Sequence, residues 1–317
     1  MKPWEVIAPG ALTTVQDRGR EGWRHLGVSR AGALDPEAAA VANRLLGNDP
    51  DAAVLELTLQ GPTLKLAEPA TIAIVGAMIA ATSNGHLLPG QRPLAVPAGE
   101  LKLGGIREGI RAWLSVAGGF DLPAILGSRS TDLRGGFGGK EGRALRAGDL
   151  LPLGKSAPAD TAAPQSAAWW IGADDYDCGI ARPLRYVSSG HPAAAALAER
   201  AWSVSADANR QGMRLRGEPL PSIPHHNVSE PVAVGCIQLP TDGQPIILLA
   251  DAQTVGGYPR LGYVIAADLP RLAQAGPGAL LAFTAIGMEE ARRLNLQHRH
   301  RQARTALAID QRLARRP

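Results

Sequence analysis

Apolar residues in this chain fall in short runs at positions 72–75, 101–103, 113–116, 232–234, 246–249, 263–266 and 280–284, most of them bounded by Gly, Pro, Asn or Asp. Runs of that length and punctuation predict strands, because a strand needs few residues to cross a core and ends where turn residues begin. With 37 Gly and 25 Pro along the chain, the expectation is a mainly β fold, curled or closed into barrels so that few strand edges stay open. The longest nearly apolar stretch, 70–81, falls short of the roughly 18 residues of a membrane helix and reads as a buried strand pair. Helical pattern is confined to three places. At 35–48, Asp35 is placed as N-cap, Pro36 as first helical residue and Gly47 as the stop; the others are 191–201 and a C-terminal tail, 288–317.

A length of 317 residues exceeds what one hydrophobic core usually serves, so two domains are expected. An Ala/Pro-rich segment without large apolar residues marks the linker at 154–167. It separates a first barrel domain at 1–153 from a second at 168–287, and the tail follows at 288–317. That tail holds eight Arg against Glu289, Glu290 and Asp310, a surplus exceeding the whole chain's net charge of +4. The basic excess therefore reads as one solvated helix, acidic at its start and basic at its end, rather than as a nucleic-acid surface. Cys178 and Cys236 have no metal-type spacing, and the amino terminus lacks the basic-then-apolar pattern of a secretory leader; a cytoplasmic, reducing setting is expected. The pairs His225-His226 and His298/His300 lack a companion carboxylate at ligand spacing, which argues against zinc.

Chemistry concentrates beside glycine. Residues 14–28 place Gln16, Asp17, Arg18, Arg20, Arg24 and His25 among glycines, and 251–262 repeat the order Gln, Gly, then Gly-aromatic-x-basic-Leu-Gly. Gly22–Gly27 and Gly257–Gly262 align without a gap, which suggests two related modules. Further polar segments are 127–132, 209–217, 235–240 and 55–62.

Taken in order, Val15-Gln16-Asp17-Arg18-Gly19-Arg20, Gly32-Ala33-Leu34-Asp35, Ala42-Asn43-Arg44-Leu45-Leu46-Gly47-Asn48, Leu55-Glu56-Leu57-Thr58, Gly127-Ser128-Arg129-Ser130-Thr131, Gly235-Cys236-Ile237-Gln238, Asp242-Gly243-Gln244-Pro245 and Gly256-Gly257-Tyr258-Pro259 resemble the family of 5-oxoprolinase C subunits. It is also called the allophanate hydrolase subunit 2 or biotin-dependent carboxyltransferase family, and it includes a kinase-inhibitor antagonist. Gln211 and Cys236 stand where the family usually has Met and Ala. The resemblance implies two cyclophilin-like β-barrel domains and one subunit of an ATP-dependent assembly. With subunits A and B it would open the lactam of 5-oxo-L-proline to L-glutamate. The alternatives it carries are transfer of a carboxyl group from biotin to urea or a similar small amide, and a non-catalytic antagonist binding a kinase-inhibitor protein.

For such chemistry Gln16, Asp17, His25, Glu56 and Asp251 are the candidate catalytic groups, and Arg18, Arg129, Arg210, Arg214, Gln238, Gln253 and Tyr258 the candidate substrate-binding groups. Carboxylates and an imidazole move protons, guanidinium groups hold developing negative charge, and a carboxamide offers an amide both donor and acceptor. Each Arg reads equally as a surface or inter-strand residue, His25 as structural, Tyr258 as strand packing, and Asp35, a further carboxylate, as a helix cap. The segment 135–140 only imitates a nucleotide cradle, so ATP is expected at an untypical site or one shared with partner subunits. Lys occurs only at 2, 65, 102, 140 and 155, without a biotin-attachment motif; the chain could use tethered biotin but not carry it.

Overall fold

The computed structural model describes residues 2–157, 159–172, 179, 181–221 and 228–314. Cys178 and His225-His226 lie outside them. The chain divides into two compact units: unit 1 holds Met1–Arg20, Ala31–Cys178 and Arg301–Pro317, and unit 2 holds Glu21–Arg30 and Gly179–His300.

Unit 1 carries β1 (Trp4–Ala8), β2 (Leu12–Gln16), α1 (Pro36–Arg44), β3 (Val54–Thr58), β4 (Thr63–Leu66), β5 (Ala70–Ser83), β6 (His86–Leu88), β7 (Leu94–Val96), β8 (Gly99–Val116), β9 (Leu150–Leu151) and β10 (Gln165–Ser166). Its sheet runs β10-β7-β5-β8-β4-β1-β9, with β2 on β3, β3 on β8 and β6 on β5. The 18-residue β8 organises it: residues 99–102 pair with β4, 111–114 with β3, and β5 follows it from Ile72↔Val116 to Ser83↔Leu101. The stretch 70–81 is therefore one long strand and not a strand pair. At Gly76 the register slips through a bulge. The residue has φ +108°, and a Cβ there would stand 2.8 Å from Arg111 O and from the Trp113 ring, so glycine permits both the bulge and the close approach. Alternate residues of these strands turn Trp4, Val6, Leu55, Leu57, Ile72, Ile74 and Leu114 into one core, with Trp4 edge-on to Phe120 at 5.8 Å. Burying each such side chain contributes about 1.5–3 kcal/mol. Of the Ala/Pro-rich segment, Gln165 and Ser166 pair with Ala95 and Leu94 at the sheet edge.

The helix read at 35–48 forms as α1, with Asp35 Oδ1 accepting from Glu37 N at 2.9 Å and Ala38 N at 3.0 Å. Asn43 then pins it to the sheet: its amide donates to Ala52 O at 2.7 Å and its Oδ1 accepts from Ser115 Oγ at 2.6 Å.

Unit 2 carries β11 (Leu184–Ser188), α2 (Ala194–Glu199), β12 (Trp202–Val204), β13 (Gly212–Arg216), β14 (Glu230–Pro231), β15 (Cys236–Gln238), β16 (Ile246–Leu248), β17 (Val255–Gly256), β18 (Arg260–Val264), α3 (Leu269–Leu272), β19 (Leu280–Leu281) and β20 (Phe283–Ala285). The main sheet runs β19-β12-β13-β16-β15-β18-β11-β20, and β14 pairs with β17 as a separate ribbon. Its two ends, β19 and β20, are one residue apart in the chain, so the sheet must curl until its edges nearly meet. A nearly closed barrel results, and the mainly β expectation holds. The run 280–284 thus supplies two strands, whereas 232–234 is not a strand: the chain turns there, and the strand starts at Cys236.

The tail is helical, α4 (Met288–Ala314), but not wholly solvated. Ala291 and Ile309 are buried, and Arg44 meets Asp310 at 3.5 Å. No helix among the described residues is long and apolar enough to cross a membrane.

Candidate functional site

In unit 1 the polar residues singled out by the sequence tie the fold together. Asp17, just after β2, is buried, and its carboxylate accepts from Gly19 N at 2.8 Å, Ser128 Oγ at 2.6 Å, Ser130 Oγ and Arg129 N. Four donors occupy a group that only accepts. Gln16 is fully buried, and its Nε2 donates to Thr14 Oγ1 at 3.1 Å and Thr131 O at 3.3 Å. Glu56, inward on β3, accepts from Leu34 N at 2.7 Å and Trp113 Nε1 at 3.1 Å. Arg129 Nε donates to Leu122 O at 2.7 Å, while Arg18 is exposed and meets Asp51 at 3.3 Å.

The glycine run behind this knot packs inward as well. A Cβ at Gly138 would lie 2.1 Å from Ser130 O, and one at Gly139 would lie 1.9 Å from Thr131 Oγ1. Gly135 N donates to Asp132 Oδ1, Gly136 N to Asp132 O and Gly139 N to Arg129 O. These three amides are committed to protein oxygens, whereas a triphosphate cradle needs such N–H groups turned outward.

In unit 2, Arg210 and Asp251 form a buried bidentate pair, with Nε to Oδ2 and Nη2 to Oδ1 both at 2.9 Å. Both side chains are nearly inaccessible, at 5% and 3% exposure. Arg214 is exposed on β13, His25 is exposed on the 3-10 turn Arg24–Leu26, and Gln253 is half-buried between β16 and β17. The two aligned glycine segments differ locally. Gly22–Gly27 contains that helical turn, whereas Gly257–Gly262 leads into β18. Both belong to unit 2, where the Arg24 guanidinium donates to Val232 O beside the β14–β17 ribbon.

Tyr258 does reach a cavity. A cleft of about 640 Å³ opens between the loop at 189–191, the β14–β17 ribbon and the turn 257–259, with Ser189, Glu230, His191, Tyr258 and Arg260 contributing its polar side chains. That volume suits a small organic molecule. Ser189 N donates to Leu261 O at 3.0 Å and Ser189 Oγ to Arg260 O, so one wall is clipped to β18. Ala193 N donates to His191 Nδ1 at 3.1 Å, which leaves the ring hydrogen on Nε2. Arg260 pairs with Glu230 and donates to Tyr263 Oη at 3.2 Å. That bond, foremost, and the nearby Glu230 carboxylate hold the guanidinium in its charged form. Gln238 stands behind Gly256. Its Nε2, buried without a hydrogen-bond partner among the described residues, lies 2.5 Å from where a Gly256 Cβ would be. Beneath, the Cys236 thiol is fully buried, and burial pushes its pKa up. Sequence reasoning did not name Glu230, His191 or Arg260 as site residues. Arg260 alone carried a signal, as the basic member of the aligned glycine segment.

A curled β barrel bearing a polar, ligand-sized cleft on the loops at its edge is the class of protein that these features define. The model of the carboxyltransferase domain, subdomain A and B, matches residues 26–285, and the chain belongs to that family. Within it, the C subunit of Escherichia coli 5-oxoprolinase is 38% identical over 289 residues, covering 90% of this chain and 92% of the relative. Saccharomyces cerevisiae urea amidolyase is 31% identical over 92% of this chain but 17% of its own length. The crystal structure of K. lactis urea amidolyase matches with a TM-score of 0.86 at 29% identity, over 96% of this chain and 20% of that one. This chain thus spans about a fifth of that enzyme.

Proposed function

We propose that this chain is the C subunit of an ATP-dependent 5-oxoprolinase that, with subunits A and B in the cytoplasm, opens the lactam of 5-oxo-L-proline to L-glutamate. The supporting observation is the end-to-end likeness to a 5-oxoprolinase C subunit, 90% of one chain against 92% of the other. The urea amidolyase is matched over less than a fifth of its length.

Resonance makes a lactam carbonyl unreactive, so the assembly must activate it and then hold the negative charge that develops on oxygen. Donors fixed in advance do this best, supplied jointly by this chain and its partner subunits, and in this chain the cleft beside Tyr258 is where a small ring-bearing substrate fits. Gln16, Asp17, Glu56, Arg210 and Asp251, turned inward, hold the framework. Because the amides of 135, 136 and 139 are committed, the reading places ATP with the partner subunits. The purified chain alone is expected to release no glutamate from 5-oxoproline and ATP, and to do so once subunits A and B are added. A reconstituted set that stays inactive overturns the reading.

A second reading, carboxyl transfer from biotin to urea or another small amide, draws on the carboxyltransferase family match and the 0.86 TM-score. It requires a biotinylated partner, which a streptavidin blot of the co-purified complex would detect.

A further inference from the structure

The cleft of unit 2 contains a cation whose partner is poorly held. Arg260 is fixed from behind, since its backbone is clipped by Ser189 and its Nη1 donates to Tyr263. Its other terminal nitrogen meets Glu230, the acid that pairs with it among the described residues. Glu230 begins a two-residue strand held to β17 by two register pairs, and its side chain is 53% exposed. Exchanging one half-exposed carboxylate for another on the same guanidinium is close to neutral, because surface ion pairs contribute little. A guanidinium fork also fits a carboxylate in a planar, two-bond geometry that few other groups match. Around it, Gly190 leaves room, the Tyr258 ring offers a face, and His191 lines a wall.

From this geometry we infer that the cleft is a carboxylate-binding subsite. Arg260 takes the carboxylate of a small ring-bearing acid, Tyr258 flanks the ring, and Glu230 is the built-in counter-ion that the ligand displaces. The inference deepens the function proposed above and rests on it only for the choice of 5-oxoproline, a lactam acid of this class, as ligand.

Calorimetric titration of the full chain tests it, with three probes: 5-oxoproline, its neutral primary amide, and cyclopentanecarboxylate. The two acids are expected to bind and the amide to bind at least about tenfold more weakly. Arg260→Gln should weaken the acids by a similar factor. Glu230→Gln should tighten them about threefold or more while leaving the amide unchanged, a gain that no misfolded variant would produce. The subsite is overturned if Glu230→Gln weakens the acids, if Arg260→Gln binds them like the parent chain, or if neither acid binds. Should cyclopentanecarboxylate bind through Arg260 while 5-oxoproline does not, the subsite stands and the choice of substrate falls.

Discussion

The knot around Asp17 in unit 1 and the cleft beside Tyr258 in unit 2 are made of the same kinds of residue, glycines among acids, arginines and hydroxyls, but they differ in what they leave over. In the knot every named donor ends on a protein oxygen, and Gly138 and Gly139 are packed against Ser130 and Thr131. At the cleft Gly190 opens onto space, Gly256 backs onto Gln238, and an arginine faces a half-exposed acid. Glycine beside charge therefore marks a close approach of chain to chain as readily as of chain to ligand. Where the hydrogen-bonding capacity ends decides which of the two it is.

That comparison predicts that inward-turned polar groups carry stability and cleft groups do not. The largest effect is expected at the buried pair of unit 2. Arg210→Met leaves the buried Asp251 carboxylate without its bidentate partner, at a cost of about 3–5 kcal/mol, and a compensating Asp251→Leu should recover most of it, read from urea unfolding midpoints. Asp17→Ala strands two hydroxyls and two amides at once, and should cost on the order of 3 kcal/mol. If activity of the reconstituted complex disappears while stability is unchanged, the knot is a catalytic site and the comparison fails.

Glycine replacement sharpens the contrast. Gly138→Ala drives a Cβ to 2.1 Å from Ser130 O and should destabilise more than Gly22→Ala, where φ is +88° but nothing lies within 4 Å and the strain is about 1–2 kcal/mol. Thermal melts of the two variants would rank them.

Acid acts on both units. The bidentate Arg143 bond holds the Asp149 carboxyl below its usual value of about 3.8. Burial would raise that of Asp268, but the Arg185 bonds outweigh it and hold it low too. In acid the unfolded chain protonates first, so this stability is complete above about pH 3.8 and is lost as pH falls through the lowered folded-state values. Urea melts between pH 6 and pH 2.5 should show the decline, with a shallower slope in Asp149→Asn. The smallest change is expected for Tyr258→Phe, whose side chain is 46% exposed; its melt should shift by less than about 0.5 kcal/mol.

Local chemistry was legible in the residues themselves. Asp35-Pro36 opening a helix that stops before Gly47, most of the strand-length apolar runs and the helical tail depend on neighbours a few positions away, and they appear as read, with 232–234 the exception. Ordered motif blocks likewise identified the family. Tertiary structure alone decided what each polar group does. Asp17 meets Ser130 across 113 residues, Glu56 meets Trp113 across 57 and Arg210 meets Asp251 across 41, pairings that depend on strand register and chain crossing. The same holds for 70–81, where a long partner strand made one bulged strand of an expected pair, and for Glu230, His191 and Arg260, which share a cleft although 69 residues separate the first and last of them in sequence. A residue type sets which bonds a side chain is able to make; the folded backbone sets which partners come within reach, and so which groups remain for a ligand.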